Sequence, residues 1–165
     1  MDSDDRGFMI GALLTIPTLR LTALVNARLH DRGFHEITDS NSVVMKALSP
    51  EGEHITELAA KAGMTKQSIG YLVDQLEAAG CVERVADPRD ARAVIIRRTK
   101  KGWAYSRAAA EEVARIQDEW GRLLGPAKMK QLKALLAELV DKLGARYEGS
   151  AADVASRMPK LRGRS

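Results

Sequence analysis

The sequence predicts a mainly α-helical protein with one small β-hairpin. Apolar residues recur at three- and four-residue steps along most of its 165 positions. A hydrophobic share of 45% with only 4% aromatic residues is a globular, helix-leaning balance built on Ala and Leu. Between the helical stretches, two short β-rich runs at 81–85 and 93–97 surround Asp87-Pro88-Arg89-Asp90, a hairpin pattern with a polar, basic tip. The length suits one domain with an appended arm. One cysteine cannot close an internal disulfide, so the chain reads as cytoplasmic.

The first helix is expected over residues 8–31, with Leu13, Leu14, Leu21, Leu24, Val25 and Leu29 as its apolar positions and Gly33 as its stop. Pro17 removes a helix donor and predicts a kink, unless the helix proper begins near Thr15. The apolar start at 8–14 follows Asp2, Asp4 and Asp5 and precedes Arg20, too short and wrongly flanked for a membrane span or secretory signal. A second helix is capped by Thr38, Asp39 or Ser40, turns Val43, Val44, Ala47 and Leu48 inward, and ends at Pro50 and Gly52.

A short helix at 55–62 buries Leu58, Ala59 and Ala62; Gly63 and Met64 turn the chain, and Thr65 caps a longer helix ending at Gly80. In that longer helix Ile69, Leu72, Val73 and Leu76 form the core stripe. Lys66, Gln67, Ser68, Tyr71, Asp74 and Gln75 lie on or beside the opposite face. Two helices joined by a tight turn, then a basic hairpin, make a winged helix-turn-helix. Beyond it, a long helix from about Lys100 carries Val113, Ile116, Trp120 and Leu123 as far as Gly125-Pro126. A last helix carries Met129, Leu132, Leu136, Leu139 and Leu143. At 1.5 Å per residue the long helix spans roughly 37 Å. A striped helix of that length needs a partner surface.

Net charge is +4, unevenly placed: residues 84–101 hold seven bases against two acids, and the segment 145–165 holds five against two. Positive charge concentrated in this way suits a polyanion-facing surface. The polar residues near the start of the longer helix can reach base edges in a major groove about 12 Å wide. Arg89 and Arg92 at the hairpin tip suit a neighbouring minor groove. Asp90 between them repels phosphate, so its expected role is to orient Arg92 or a wing backbone N–H. The candidate DNA contacts are therefore Thr65, Lys66, Gln67, Ser68, Tyr71, Gln75, Arg89 and Arg92.

Several segments together resemble the multiple-antibiotic-resistance-regulator (MarR) family of winged-helix repressors. They are Ile55-Thr56-Glu57-Leu58-Ala59 through Gly63-Met64-Thr65, Leu72-Val73-Asp74-Gln75-Leu76-Glu77, Gly80-Cys81-Val82-Glu83-Arg84, Asp87-Pro88-Arg89-Asp90-Ala91-Arg92 and Thr99-Lys100-Lys101-Gly102. The resemblance covers about residues 8–144. It implies a homodimer joined by the first and last two helices, a palindromic double-stranded operator, and release by a small phenolic or aromatic-acid effector. On that reading residues 1–34 form an N-terminal dimerisation helix, 35–100 the winged helix-turn-helix, 101–144 the C-terminal dimerisation helices, and 145–165 a basic tail. Arg20, Arg28 and His35 lie near the junction of the dimerisation helices with the winged domain and are candidate effector contacts. The sequence departs from the family at Ala91, where another Arg is common, at Arg98, where Leu is usual, and in the basic tail.

Other features read more plainly. Cys81 opens the first wing strand at an apolar position with no resolving Cys, which makes it structural. His30, His35 and His54 show no paired ligand spacing, so neither metal nor other cofactor is expected. Trp103 and Trp120 suit core or dimer contacts. No nucleophile with an adjacent base, Gly-rich phosphate loop or carboxylate cluster is visible, so an enzyme is not expected. The competing expectations are a winged helix that docks an acidic protein, or a DNA-binding protein without an effector.

Overall fold

A computed structural model describes residues 9–144; Phe8, the basic segment 145–165 and the side chain of Ala91 lie outside the described residues. Along that length the order is α1 (Ile10–Asp31), α2 (Asp39–Ala47), β1 (Glu53–His54), α3 (Ile55–Ala62), α4 (Lys66–Ala78), β2 (Val82–Asp87), β3 (Asp90–Arg98), α5 (Lys100–Leu124) and α6 (Pro126–Lys142). The three strands form an antiparallel sheet ordered β1-β3-β2, with a bulge at Ala86/Asp87 beside the hairpin tip. β1 has no counterpart in the sequence reading, because two residues carry no period; it pairs Glu53 with Ile96 and His54 with Ile95 and adds an edge strand on the other side of β3.

Local chemistry accounts for the boundaries. Thr38 caps α2, its hydroxyl accepting the Asn41 N–H while the Asn41 side chain accepts the Thr38 N–H. Thr65 caps α4 by accepting the Ser68 N–H at 3.1 Å, and Gly63, at φ 63°, supplies the left-handed turn between α3 and α4. α1 runs unbroken through Pro17 from Ile10, so the helix does not start at Thr15. Immediately after the proline, the Thr18 hydroxyl donates to the Leu14 carbonyl at 2.7 Å.

One core joins the winged unit to the long helices. Ile69, Leu72, Val73 and Leu76 of α4 are buried as their spacing requires, with Leu58 of α3, Val44 and Leu48 around α2, Val25 and Leu29 of α1, and Ile116 of α5. Val43, Ala47 and Ala62 are only half-buried at its rim. Glu112, 2% exposed, sits in the α5 core stripe between Ala108 and Ile116. Arg32 reaches it at 3.0 Å, Arg115 at 3.1 Å and Arg28 at 3.7 Å, while Arg28 also holds Glu119 at 2.8 Å and Arg32 holds Glu111 at 2.8 Å. The C-terminal half of α1 is thereby clamped to α5.

The other half of α1 is different. Ile10, Leu13, Leu14, Ile16 and Leu19 are exposed, as are Leu123 and, on α6, Leu132, Leu135, Leu136, Leu139 and Leu143. By length and composition α1 could cross a membrane, and only 6% of its most apolar stretch is buried. The sequence reading weighed residues 8–14 alone and so understated this apolar length.

At the base of the wing β3 passes directly into α5. Thr99 caps α5 through the Gly102 N–H and donates its hydroxyl to the Gly80 carbonyl at 2.6 Å, and its N–H bonds the Cys81 carbonyl at 3.1 Å. A Cβ at Gly102 would lie 2.0 Å from that Cys81 oxygen, whereas one at Gly121 would meet only Met129 at 3.8 Å. Gly102→Ala is therefore expected to destabilise the fold by at least about 1–3 kcal/mol, and Gly121→Ala to be neutral or better, since Ala outranks Gly in helices. Denaturant unfolding checks both. The Cys81 thiol gives a second readout: it is fully buried, and burial pushes its pKa up, so a thiol reagent should label it slowly in the wild type and faster in Gly102→Ala.

Candidate nucleic-acid interface

The N-terminal turns of α4 present a compact polar surface. Lys66, Gln67, Ser68 and Tyr71 are exposed, Tyr71 at 64% despite its large ring. The Thr65 and Ser68 hydroxyls are 2.8 Å apart and hold each other in place. The helix start leaves backbone N–H groups and the positive end of the helix dipole facing outward, which favours a phosphate. Gln75 is half-buried and its side-chain oxygen lies 3.5 Å from the Asn41 amide, so it is tied to α2 while its neighbours on α4 are open.

Three of the seven bases at 84–101 are paired with acids. Arg84 is held by Asp74 at 2.7 Å and by Glu77, Arg97 by Glu83 at 2.7 Å, and Lys101 by Glu36 at 2.8 Å. Arg89 and Arg92 are exposed at the hairpin tip and make no ion pair among the described residues. Asp87 and Asp90 accept the backbone N–H groups of Arg89 at 2.8 Å and Arg92 at 3.0 Å, so these carboxylates shape the tip and leave both guanidinium groups open. His54 braces the wing from β1, with Nε2 at 2.9 Å from Asp87 and Nδ1 at 3.2 Å from the Val94 carbonyl.

Arg98 behaves unlike every other base in the cluster. Its side chain, 5% exposed, turns inward with Ile96 on the alternation of β3 and donates to the carbonyls of Met45 at 2.7 Å, Leu48 at 2.9 Å and Ser49 at 3.0 Å. These are carbonyls at the C-terminal end of α2, where a cation is favoured. The guanidinium also lies 4.9 Å from the centre of the Trp103 ring. Burial pulls its pKa down to about 10, still well above neutrality, so the charge persists. Its Nε is buried with no hydrogen-bond partner.

Arg98 borders a cavity of about 300 Å³ between α1, α2 and α5. Leu21, Val25, Met45 and Val113 give it apolar walls, and Thr22, Asn26, Tyr105 and Ser106 add polar groups. Tyr105 packs edge-on against Phe34, and burial raises its phenol to about 12, which keeps the hydroxyl protonated. Of the three effector candidates taken from the sequence, none borders this cavity. Arg28 is engaged with Glu119 and Glu112, Arg20 is exposed on α1, and His35 is exposed with its ring 4.3 Å from that of His30. Arg98 and Tyr105 were missed as cavity residues. The available signal was parity: a charged residue two positions after Ile96 falls on the inward face of β3.

Comparison with known proteins agrees with this geometry. A family model described as the MarR family matches residues 47–93, which span α3, the turn, α4 and most of the wing. The chain is 34% identical over 104 residues to the HTH-type transcriptional regulator FarR of Neisseria gonorrhoeae, covering 62% of this chain and 71% of that protein. The fold is similar to the transcriptional repressor CouR bound to a 23-mer DNA duplex, with a TM-score of 0.61 and 27% identity over 85% of this chain and 98% of CouR. It is also similar to NadR in complex with 4-hydroxyphenylacetate, with a TM-score of 0.58 and 28% identity over 84% of this chain and 97% of NadR. With its helix-turn-helix, its basic wing and this relationship to FarR, the chain belongs to the MarR family of transcriptional regulators.

Proposed function

We propose that the protein is a homodimeric repressor that reads an inverted-repeat operator and leaves it when a small aromatic ligand occupies the cavity between α1, α2 and α5. The observation that carries the DNA reading is the pairing of an open polar α4 start with two wing arginines free of internal carboxylates. Lys66, Gln67, Ser68 and Tyr71 meet the major groove with Thr65 and Gln75 at the edges of that set, and Arg89 and Arg92 enter the adjoining minor groove. The similarity to CouR bound to a DNA duplex and to NadR in complex with 4-hydroxyphenylacetate supports a DNA-binding, ligand-responsive reading.

The dimer reading rests on apolar surface. The outer half of α1 and the leucines of α6 leave many large apolar side chains exposed among the described residues, and a second copy covers them. Membrane insertion of α1 would tear Val25 and Leu29 from the core and break the clamp on Glu112. Residues 1–34 and 101–144 then serve dimerisation, 35–100 DNA binding, and the 145–165 segment adds basic charge. Regulation is non-enzymatic: the ligand favours a dimer whose α4 helices are wrongly spaced for the two half-sites.

Sedimentation at micromolar concentration is expected to give a dimer; a monomer with full helical circular dichroism contradicts the assembly. On a duplex selected from random sequence, Arg92→Ala should weaken binding at least tenfold at about 0.15 M salt. It should also flatten the salt dependence by about one counterion per protomer without altering thermal stability. Gln67→Ala should instead relax preference at one base pair per half-site, a discrimination of about 1–3 kcal/mol. Unchanged affinity in the first and unchanged preference in the second remove these residues from the interface.

A further inference from the structure

We propose that His54 is a positioning residue for the wing that couples operator binding to a proton, the tip being held for DNA when both ring nitrogens carry hydrogen. This rests on the reading of the wing as a DNA contact. The ring stands between two acceptors. Its Nε2 lies 2.9 Å from a carboxylate oxygen of Asp87, and its Nδ1 lies 3.2 Å from the Val94 carbonyl oxygen. A carbonyl only accepts, as does an ionised carboxylate, so both bonds exist together only for the imidazolium. A neutral ring has one N–H and turns a lone pair on the other oxygen.

The same contact reaches the DNA-facing end of the hairpin. His54 lies on the edge strand β1, opposite Ile95, and its side chain spans β3 to meet Asp87 at the end of β2. Asp87 uses its other oxygen to accept the Arg89 backbone N–H at 2.8 Å, so one carboxylate joins the ring to the tip. His54 also immediately precedes α3, and its own N–H donates to the Glu57 carboxylate at 3.1 Å. The brace therefore ties the hairpin to the helix-turn-helix and sets how Arg89 and Arg92 stand relative to α4. The other acids around it are engaged elsewhere: Glu53 holds Lys61 at 2.7 Å, Glu57 takes the His54 main chain, and Asp90, the register partner of Asp87, takes the Arg92 N–H. The cations of the tip, Arg89 and Arg92, are exposed, and Asp87 is the one carboxylate that meets the ring among the described residues. Loss of the proton breaks one of the two bonds and frees the tip. Binding must then order both arginines, so affinity falls as pH rises.

The test is operator affinity at fixed salt, on a duplex selected from random sequence, for the full-length wild type, His54→Gln and Asp87→Asn. Wild-type affinity should fall at least about fivefold between roughly pH 6 and 8. His54→Gln, whose amide does not titrate, should lose most of that fall, since any contribution of His30 and His35 is common to both proteins. Asp87→Asn should flatten the profile too, because its amide N–H can donate to a neutral ring while its oxygen keeps the Arg89 N–H. Nitrogen-15 NMR of the ring in the operator complex, assigned by its absence from His54→Gln, should show both nitrogens protonated at about pH 6. Parallel profiles for wild type and His54→Gln, or a neutral His54 ring in that complex, overturn the proposal. Arg92→Ala on the same duplex separates the two levels of inference. If it weakens binding while the profiles are parallel, only the role of His54 falls; if it binds normally, the DNA reading of the wing falls as well.

Discussion

The guanidinium of Arg98 belongs to the wing by chain, to α2 by hydrogen bonding and to α5 by its approach to Trp103. A charge buried at such a point is costly unless its surroundings are ordered, so its carbonyl partners restrict how the three elements meet. β3 enters the core beside the end of α2 and continues at once into α5 through the Thr99 cap and the close approach at Gly102. The direction in which the wing leaves the body, and with it the placement of Arg89 and Arg92, follows from that junction. The cavity lies against it, so one side chain borders that space and holds the base of the wing.

A second polar device, Glu112 with its three arginines, does for α1 what Arg98 does for the wing. Both put a charged group among apolar neighbours and bond it across elements, Glu112 between α1 and α5 of the helical frame and Arg98 between that frame and the winged unit. Apolar packing alone specifies the α3–α4 pair; the polar seams specify how that pair is carried. What they leave unfilled is the outer half of α1 and the α6 leucines, which stay exposed among the described residues.

Much of this was legible in the sequence wherever a period and a cap agreed. The α4 stripe, the Thr65 cap, the Gly63 turn and the hairpin around Asp87-Pro88-Arg89-Asp90 are local signals, each sufficient in itself. β1 was not legible, since two residues have no pattern, nor was the continuity of α1 through Pro17. Charge was the least readable property. The basic excess at 84–101 reads from the sequence as one polyanion-facing surface, yet Arg84, Arg97 and Lys101 are neutralised by acids from 14 to 65 positions away or on α4, and Arg98 is buried. Only long-range pairing distinguishes a structural base from one facing solvent, and the partners of Arg28, Glu112 and Glu119, lie far along the chain on α5.

In the proposed dimer, two copies of this frame hold two α4 helices at a spacing that DNA can match. Hydroxyl-radical footprinting on a duplex selected from random sequence measures that spacing directly. Such a dimer is expected to give two symmetric protected half-sites, centred about one helical turn or roughly 34 Å apart, each flanked by protection in the adjoining minor groove. A single protected half-site, or uniform protection with no preferred sequence, would contradict it.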